Sequence, residues 1–260
     1  MQSINSNPVQ SGQPVAEICV ESVQSAVAAE KGGAQRVELC AGLSEGGTTP
    51  SAGMIELTRK SINIGLHVLI RPRRGDFLYS DSEFAIMKKD IEVAKALGVD
   101  GIVIGILQAD GNIDKERMRE LINLSYPLSV TFHRAFDMTP DPFSALEDLL
   151  ELKVPRLLTS GQQETALQGA ALIRDLIQKA GKRIVVMPGS GINETNVGEL
   201  LAKTGAKEFH TSARLTTASQ MAFRRNDLAM AVTPPLSEYA LQVADENKIR
   251  AIRQAAEAST

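Results

Sequence analysis

Apolar positions along the chain cluster into short runs, and between the runs they recur every three or four residues. The runs are rich in Val, Ile, Leu and Phe. They read as strands at residues 17–22, 36–40, 66–71, 101–107, 128–134, 156–161, 183–189 and 208–213. The stretches between them read as helices. Ser80 and Glu83 have the spacing of a capping box, Phe84, Met87, Ile91 and Ala94 follow on one face, and Gly98 predicts the stop. Asp141 and Pro142 predict an N-cap and first turn, with Phe143, Leu146, Leu149 and Leu150 on one stripe. Leu167, Ile173, Leu176 and Ile177 lead to a stop at Gly181. Asn193 is expected to cap a helix that carries Val197, Leu200 and Leu201 and ends at Gly205, and Ser237 to open the last helix.

Strand and helix thus alternate eight times at a spacing of about 25–30 residues, which predicts parallel strands joined by crossover helices. Eight such units in 260 residues predict a single-domain TIM (β/α)8 barrel; an open doubly wound sheet is the alternative. No Pro-rich or charged linker divides the chain. The expected organisation is a disordered polar tail over residues 1–14 and one barrel domain over 15–260. Loops that leave strands, such as 41–50, 71–80, 135–141 and 189–193, are longer and richer in Gly, Arg, Asp and Ser than those that enter them. Barrels carry their chemistry at that end.

Alternation sets which side chains enter the barrel, because the outer face meets helices and must be apolar. Ile18, Val20, Val37, Leu39, Val68, Ile70, Val130, Phe132 and Phe209 face out. Glu17, Cys19, Glu21, Arg36, Glu38, Cys40, His67, Leu69, Arg71, Thr131, His133, Glu208, His210 and Ser212 then face in. That interior is unusually polar for a barrel, and ionised groups inside it must be paired. Glu17, Arg36 and His67, near strand starts, are expected to form a structural network. Cys40, Arg71, His133 and His210, near strand ends, are expected to be functional.

Three constellations carry chemistry. Cys19 and Cys40 share one inward parity on neighbouring strands, so their sulfurs either meet as soft metal ligands suited to Cu(I) or simply pack. His133 and His210 stand at strand ends as ligands, acid–base groups or fixed core imidazoles, with Arg134 and Asp137 beside His133. Met187-Pro-Gly-Ser-Gly-Ile-Asn193 follows the seventh strand, where barrels often hold phosphate. Gly189, Gly191, His210 and Ser212, with Arg71 and Arg73 across the mouth, form a candidate anion site. On that reading the protein is an enzyme acting on a small phosphorylated or carboxylated metabolite, with His133 or Glu38 as the acid–base group.

Composition narrows the partners. The net charge is −3 and aromatics are 4%, with no Trp, which argues against nucleic acid. No apolar run approaches the roughly 20 residues of a membrane span, and residues 1–14 lack the pattern of a signal peptide. Two cysteines suit a reducing compartment, so the expected location is cytoplasmic. Phe77-Leu78-Tyr79 and residues 229–236 expose apolar groups in this reading and suggest a homo-oligomer, a dimer or tetramer.

Several blocks together resemble the CutC family of copper homeostasis proteins. They are Glu17-Ile-Cys-Val-Glu-Ser22, Arg36-Val-Glu-Leu-Cys40, Glu45-Gly-Gly-Thr-Thr-Pro50, Arg71-Pro-Arg-Arg-Gly-Asp-Phe77, Thr131-Phe-His-Arg-Ala-Phe-Asp137, Leu158-Thr-Ser-Gly161 and His210-Thr-Ser-Ala213. The resemblance implies a TIM barrel, a cytoplasmic role in copper handling and Cu(I) bound through Cys19 and Cys40. It implies no particular reaction. Three positions depart from the family pattern. Arg74 stands where Gly is usual, Ser190 where Gly or Ala is usual, and Phe223-Arg-Arg-Asn226 in place of an Arg-Asn pair.

Overall fold

The computed structural model describes residues 13–225, 227–228 and 238–259. Eight parallel strands form the barrel: β1 (Val15–Val20), β2 (Arg36–Leu39), β3 (Gly65–Leu69), β4 (Gly101–Ile104), β5 (Ser129–Phe132), β6 (Arg156–Thr159), β7 (Val185–Pro188) and β8 (Glu208–Thr211). Hydrogen bonding runs in the order β7-β6-β5-β4-β3-β2-β1-β8. The ring closes between β7 and β8 through one parallel bridge, Gly189 to His210. Apart from β1, which is shifted by two residues, the strands are shorter than the apolar runs, because pairing ends where the chain turns into the mouth loops.

Helices α1 (Val23–Lys31), α2 (Ala52–Ser61), α3 (Asp81–Ala96), α4 (Lys115–Ser125), α5 (Pro142–Glu151), α6 (Ala170–Ala180) and α7 (Val197–Thr204) surround the strands. The predicted capping box holds. Ser80 accepts from the Glu83 amide, and the Glu83 carboxylate accepts from the Ser80 amide. Asp141 caps α5 by accepting from the Phe143 and Ser144 amides. Gly98, Gly181 and Gly205 sit at positive φ just past the ends of α3, α6 and α7, as expected of stops. Asn193, by contrast, does not cap α7. It accepts from Thr195 in a local turn, its own amide donates to Asn196, and the helix begins only at Val197.

The last helix begins later in the chain than the sequence predicts. It is α8 (Glu246–Glu257), capped by Asp245, and residues before it are strand. Here β9 (Arg214–Ala218) and β10 (Ala240–Ala244) form an antiparallel hairpin. Leu241 and Val243 alternate with Gln242, a period of two that suits a strand. Ser237, residues 229–236 and residues 1–12 lie outside the described residues.

Two apolar cores result. The larger lies between barrel and helices, where Ile18, Val37, Val68, Ile102, Val130 and Phe209 point outward and are almost fully buried. The smaller is inside the barrel and consists of Cys19, Cys40, Leu69 and Val103, with Leu43 against it. The remaining interior is polar, as the alternation predicts. Gly101 gives it room, since a Cβ there would come within 2.5 Å of the His67 ring.

Candidate functional site

The lower interior is an ion-pair chain. Register places Glu17 of β1 beside Arg36 of β2 and His210 of β8. Arg36 donates to Glu17 and, at 2.5 Å, to Glu208, and Arg156 donates to Glu208 at 2.7 Å. Glu17 is fully buried. Burial pushes its carboxyl up, but Arg36 and His210 overcome this and hold it well below the usual carboxylate range. The expected structural network at Glu17 and Arg36 is present, extended by Glu208 and Arg156. His67 stands at its edge, its Nδ1 3.9 Å from Glu17, and burial keeps it neutral, with its pKa lowered to about 4.

Two residues further along the strands lies the thiol layer. Cys19 pairs in register with Glu38, and Cys40 follows two residues after Glu38 on the same side. The Cys19 and Cys40 sulfurs are 3.6 Å apart, and both thiols are free and buried. The Glu38 carboxylate is 3.5 Å from the Cys40 sulfur, and ligand atoms of Cys19, Glu38 and Cys40 all lie within 4.8 Å of one another. His210 spans the two layers, with Nδ1 2.7 Å from Glu17 and Nε2 3.7 Å from Glu38.

The hydrogen bond from Cys40 is the main influence that brings Cys19 down to about 5, against the cost of burial and with help from His210. Burial and the Cys19 sulfur push Cys40 up. They do the same to Glu38. Burial alone would push His210 down, but Glu38, Cys19 and Glu17 more than offset it and hold the imidazole charged. The Cys19 thiol therefore gives up its proton more readily than an ordinary cysteine, and the neighbouring His210 imidazole holds its proton more firmly.

Above this layer opens a cavity of about 330 Å³, lined by Cys19, Glu38, Cys40 and His210 below and by Arg71, Phe77, His133, Arg134, Asp137 and several apolar side chains around it. The His133 ring lies 5.0 Å from the Phe77 ring and tilted 48° to it, its Nδ1 accepts from the Ala135 amide at 3.1 Å, and burial with Arg71 nearby lowers its pKa to about 3. Asp137 faces the 159–162 loop. It accepts from Thr159, the Ser160 amide and hydroxyl, the Gln162 amide and Arg134. Nothing in the sequence reading anticipated this staple between the loops after β5 and β6, although Thr-Ser-Gly at a strand end is the signal for it.

The structure thus brings Cys19, Cys40, Glu38, His133, Arg71 and His210 together. It does not bring in the rest of the candidate anion set. Arg73 lies on the surface, engaged by Glu83 at 2.5 Å and Asp76 at 2.9 Å. Gly189, Gly191 and Ser212 do not line the cavity. The Gly189 amide is used by Thr159, and Ser190 holds φ +88°, its hydroxyl donating to the Glu164 carbonyl at 2.7 Å. That bond supports a residue other than glycine in a left-handed conformation. Arg74 points away from the cavity, 3.3 Å from Glu45 and largely exposed. Of the expected apolar surface Phe77-Leu78-Tyr79, only Leu78 is exposed; Phe77 lines the cavity and Tyr79 is buried.

A TIM barrel whose mouth holds a buried dithiol, a carboxyl and a charged imidazole defines the class of protein. Comparison with known sequences narrows it further. The CutC family model matches residues 15–215, and the chain belongs to that family. A human copper homeostasis protein cutC homolog is 54% identical over 236 residues, 91% of this chain and 86% of the human one. A CutC family protein of Chromobacterium violaceum is 49% identical over 93% of this chain and 97% of its own length. The Streptococcus agalactiae CutC crystal structure superposes with a TM-score of 0.74 at 34% identity, covering 77% of this chain and 99% of that one. Phosphoribosyl anthranilate isomerase of Thermotoga maritima, 11% identical with a TM-score of 0.57 over 95% of this chain and 100% of its own, shares the barrel fold alone. Among the described residues, no helix is long and apolar enough to cross a membrane.

Proposed function

We propose that this protein takes part in copper homeostasis in the cytoplasm by holding one Cu(I) ion as cargo between Cys19 and Cys40. The observation that carries the reading is the pair of buried free thiols 3.6 Å apart at the base of a cavity. A metal bound by two sulfurs at about 2.3 Å each spans sulfurs up to roughly 4.6 Å apart, so the pair is within ligand reach. Two soft thiolates in a dry environment select Cu(I) over harder ions. A closed structural zinc site takes four donors, whereas the cluster among the described residues offers three. Two thiolates and one Cu(I) carry a single net negative charge, which the neighbouring His210 imidazolium balances. The enclosing family supports the copper connection.

The test is an anaerobic titration against a chromophoric Cu(I) chelator, run on the wild type and on Cys19→Ser/Cys40→Ser. The expected result is one tightly held equivalent in the wild type and none in the double variant. Absence of tight binding in the wild type, or its persistence in the variant, would overturn the assignment. A parallel zinc titration showing tighter retention of Zn²⁺ would reassign the metal.

A further inference from the structure

Two arginines are buried among the described residues, Arg36 at 8% exposure and Arg71 at 6%. Arg36 has its counter-charges in Glu17 and Glu208. Arg71 has no carboxylate partner among the described residues. Its two terminal nitrogens donate to neutral carbonyls, Gly47 at 2.7 Å, Gly75 at 2.7 Å and Glu45 at 3.4 Å; the buried Tyr79 hydroxyl lies beside the guanidinium, and Nε has no acceptor among the described residues. An uncompensated buried cation is costly, and each unmet buried donor adds about 1–3 kcal/mol. The Phe77 ring 5.1 Å from the guanidinium carbon gives it a π face but no counter-charge.

His133 presents a second unmet donor in the same cavity. The Ala135 amide can only donate, so His133 Nδ1 must be the bare acceptor and the proton lies on Nε2. That Nε2 is buried without an acceptor. Arg71 and His133 pack on the same Phe77 ring, and all three line the cavity, whose remaining walls include Leu43, Leu69 and Leu158.

We propose that this cavity binds a small organic monocarboxylate, its carboxylate set against the Arg71 guanidinium and the His133 imidazole and its apolar body resting on Phe77, Leu69 and Leu158. One carboxylate supplies the missing counter-charge, and Arg71 Nε and His133 Nε2, both screened by surrounding atoms, reach it when their side chains turn toward the ligand. A phosphate dianion fits less well, since it would bring two negative charges to one unbalanced cation. A cavity of about 330 Å³ is at the small end of the range for ligand sites, which limits the body to a few carbons or a single ring. The site lies beside the thiol pair but does not depend on a metal there.

The experiment uses the full-length, reduced, copper-free protein, so that its outcome is separate from that of the Cu(I) titration. Butyrate and benzoate are titrated calorimetrically against butyramide, benzamide and inorganic phosphate, and the rate at which iodoacetamide alkylates Cys19 and Cys40 is followed with each. The acids are expected to bind and to slow alkylation, and the amides to do neither. His133→Phe and Arg71→Gln are each expected to weaken benzoate about tenfold, the effect of one charge-assisted hydrogen bond. Arg71 also ties two loops together, so the comparison of acid with amide on the wild type stands without any variant. Equal binding of acid and amide, tighter binding of phosphate, acid binding that leaves alkylation unchanged, or no binding by either acid would each overturn the proposal.

Discussion

Replacing Glu17 with Gln tests whether the barrel is held at its base by charge balance. Glu17, Arg36, Glu208 and Arg156 carry two negative and two positive charges, and Glu17 is fully buried. Glu17→Gln keeps the shape of the side chain but leaves the chain of ions with one excess positive charge. It also withdraws the carboxylate 2.7 Å from His210. Removing one partner of a buried pair costs about 3–5 kcal/mol. For a domain of this size each kcal/mol lowers Tm by about 2–4 °C, so the expected drop is roughly 6–20 °C. The companion variant Glu17→Gln/Arg36→Met restores neutrality, since Glu208 keeps Arg156. It is expected to lose less than the sum of the two single variants. The assay is urea unfolding of all four proteins followed by circular dichroism, with the coupling taken from the double-mutant cycle. A loss below about 1 kcal/mol in Glu17→Gln, or strict additivity in the double variant, would refute the charge-balance reasoning.

Gly105→Ala is expected to cost about 1–3 kcal/mol, since its Cβ would lie 2.5 Å from His133 Cε1 and 2.6 Å from Nδ1; a urea midpoint equal to that of the wild type would show that the ring moves freely. Stability is also expected to fall as pH is lowered from 6 to 5. His67 and His133 resist protonation in the folded state down to about 4 and about 3, whereas the unfolded chain takes up protons near 6.5. Each such site contributes a slope of about 1.4 kcal/mol per pH unit, positive with rising pH, in the window between the two values. His210 has the opposite sign, but its folded pKa lies above the ordinary value, so its effect falls at higher pH. The check is the urea midpoint at both pH values, with His133→Phe expected to show the shallower slope; identical midpoints at pH 6 and pH 5 would contradict it.

The eight-unit architecture was legible because each strand is an apolar run and each helix a stripe, and that contrast survives without tertiary information. The inward parity was legible for the same reason. Ile18, Val37 and Val68 leave Glu17, Cys19, Arg36, Glu38 and His67 no direction but inward, and all five are buried. What alternation cannot convey is which inward side chains meet across the ring. His210 was grouped with the mouth, yet its Nδ1 reaches down to Glu17, because closure of the barrel sets β8 beside β1. Arg73 carries the same charge as Arg71 two residues away but leaves the loop on the other side. There the capping residue Glu83, chosen for its bond to Ser80, also captures it. The β9–β10 hairpin is hard to read from the sequence because Ala240–Ala244 is only five residues long and runs directly into the helix-forming stretch that begins at Glu246.

The single bridge that closes the ring lies between Gly189 and His210, so the imidazole beside the thiols also sits on the joint where the barrel is least stitched. Elsewhere adjacent strands share two or more paired positions, while β7 and β8 share this one. Local opening in proteins starts where hydrogen bonds are fewest. This seam is where the barrel is expected to open first, beside the imidazole that neighbours the thiol layer. The least stitched joint of the ring and its thiol pair thus share one end of the barrel.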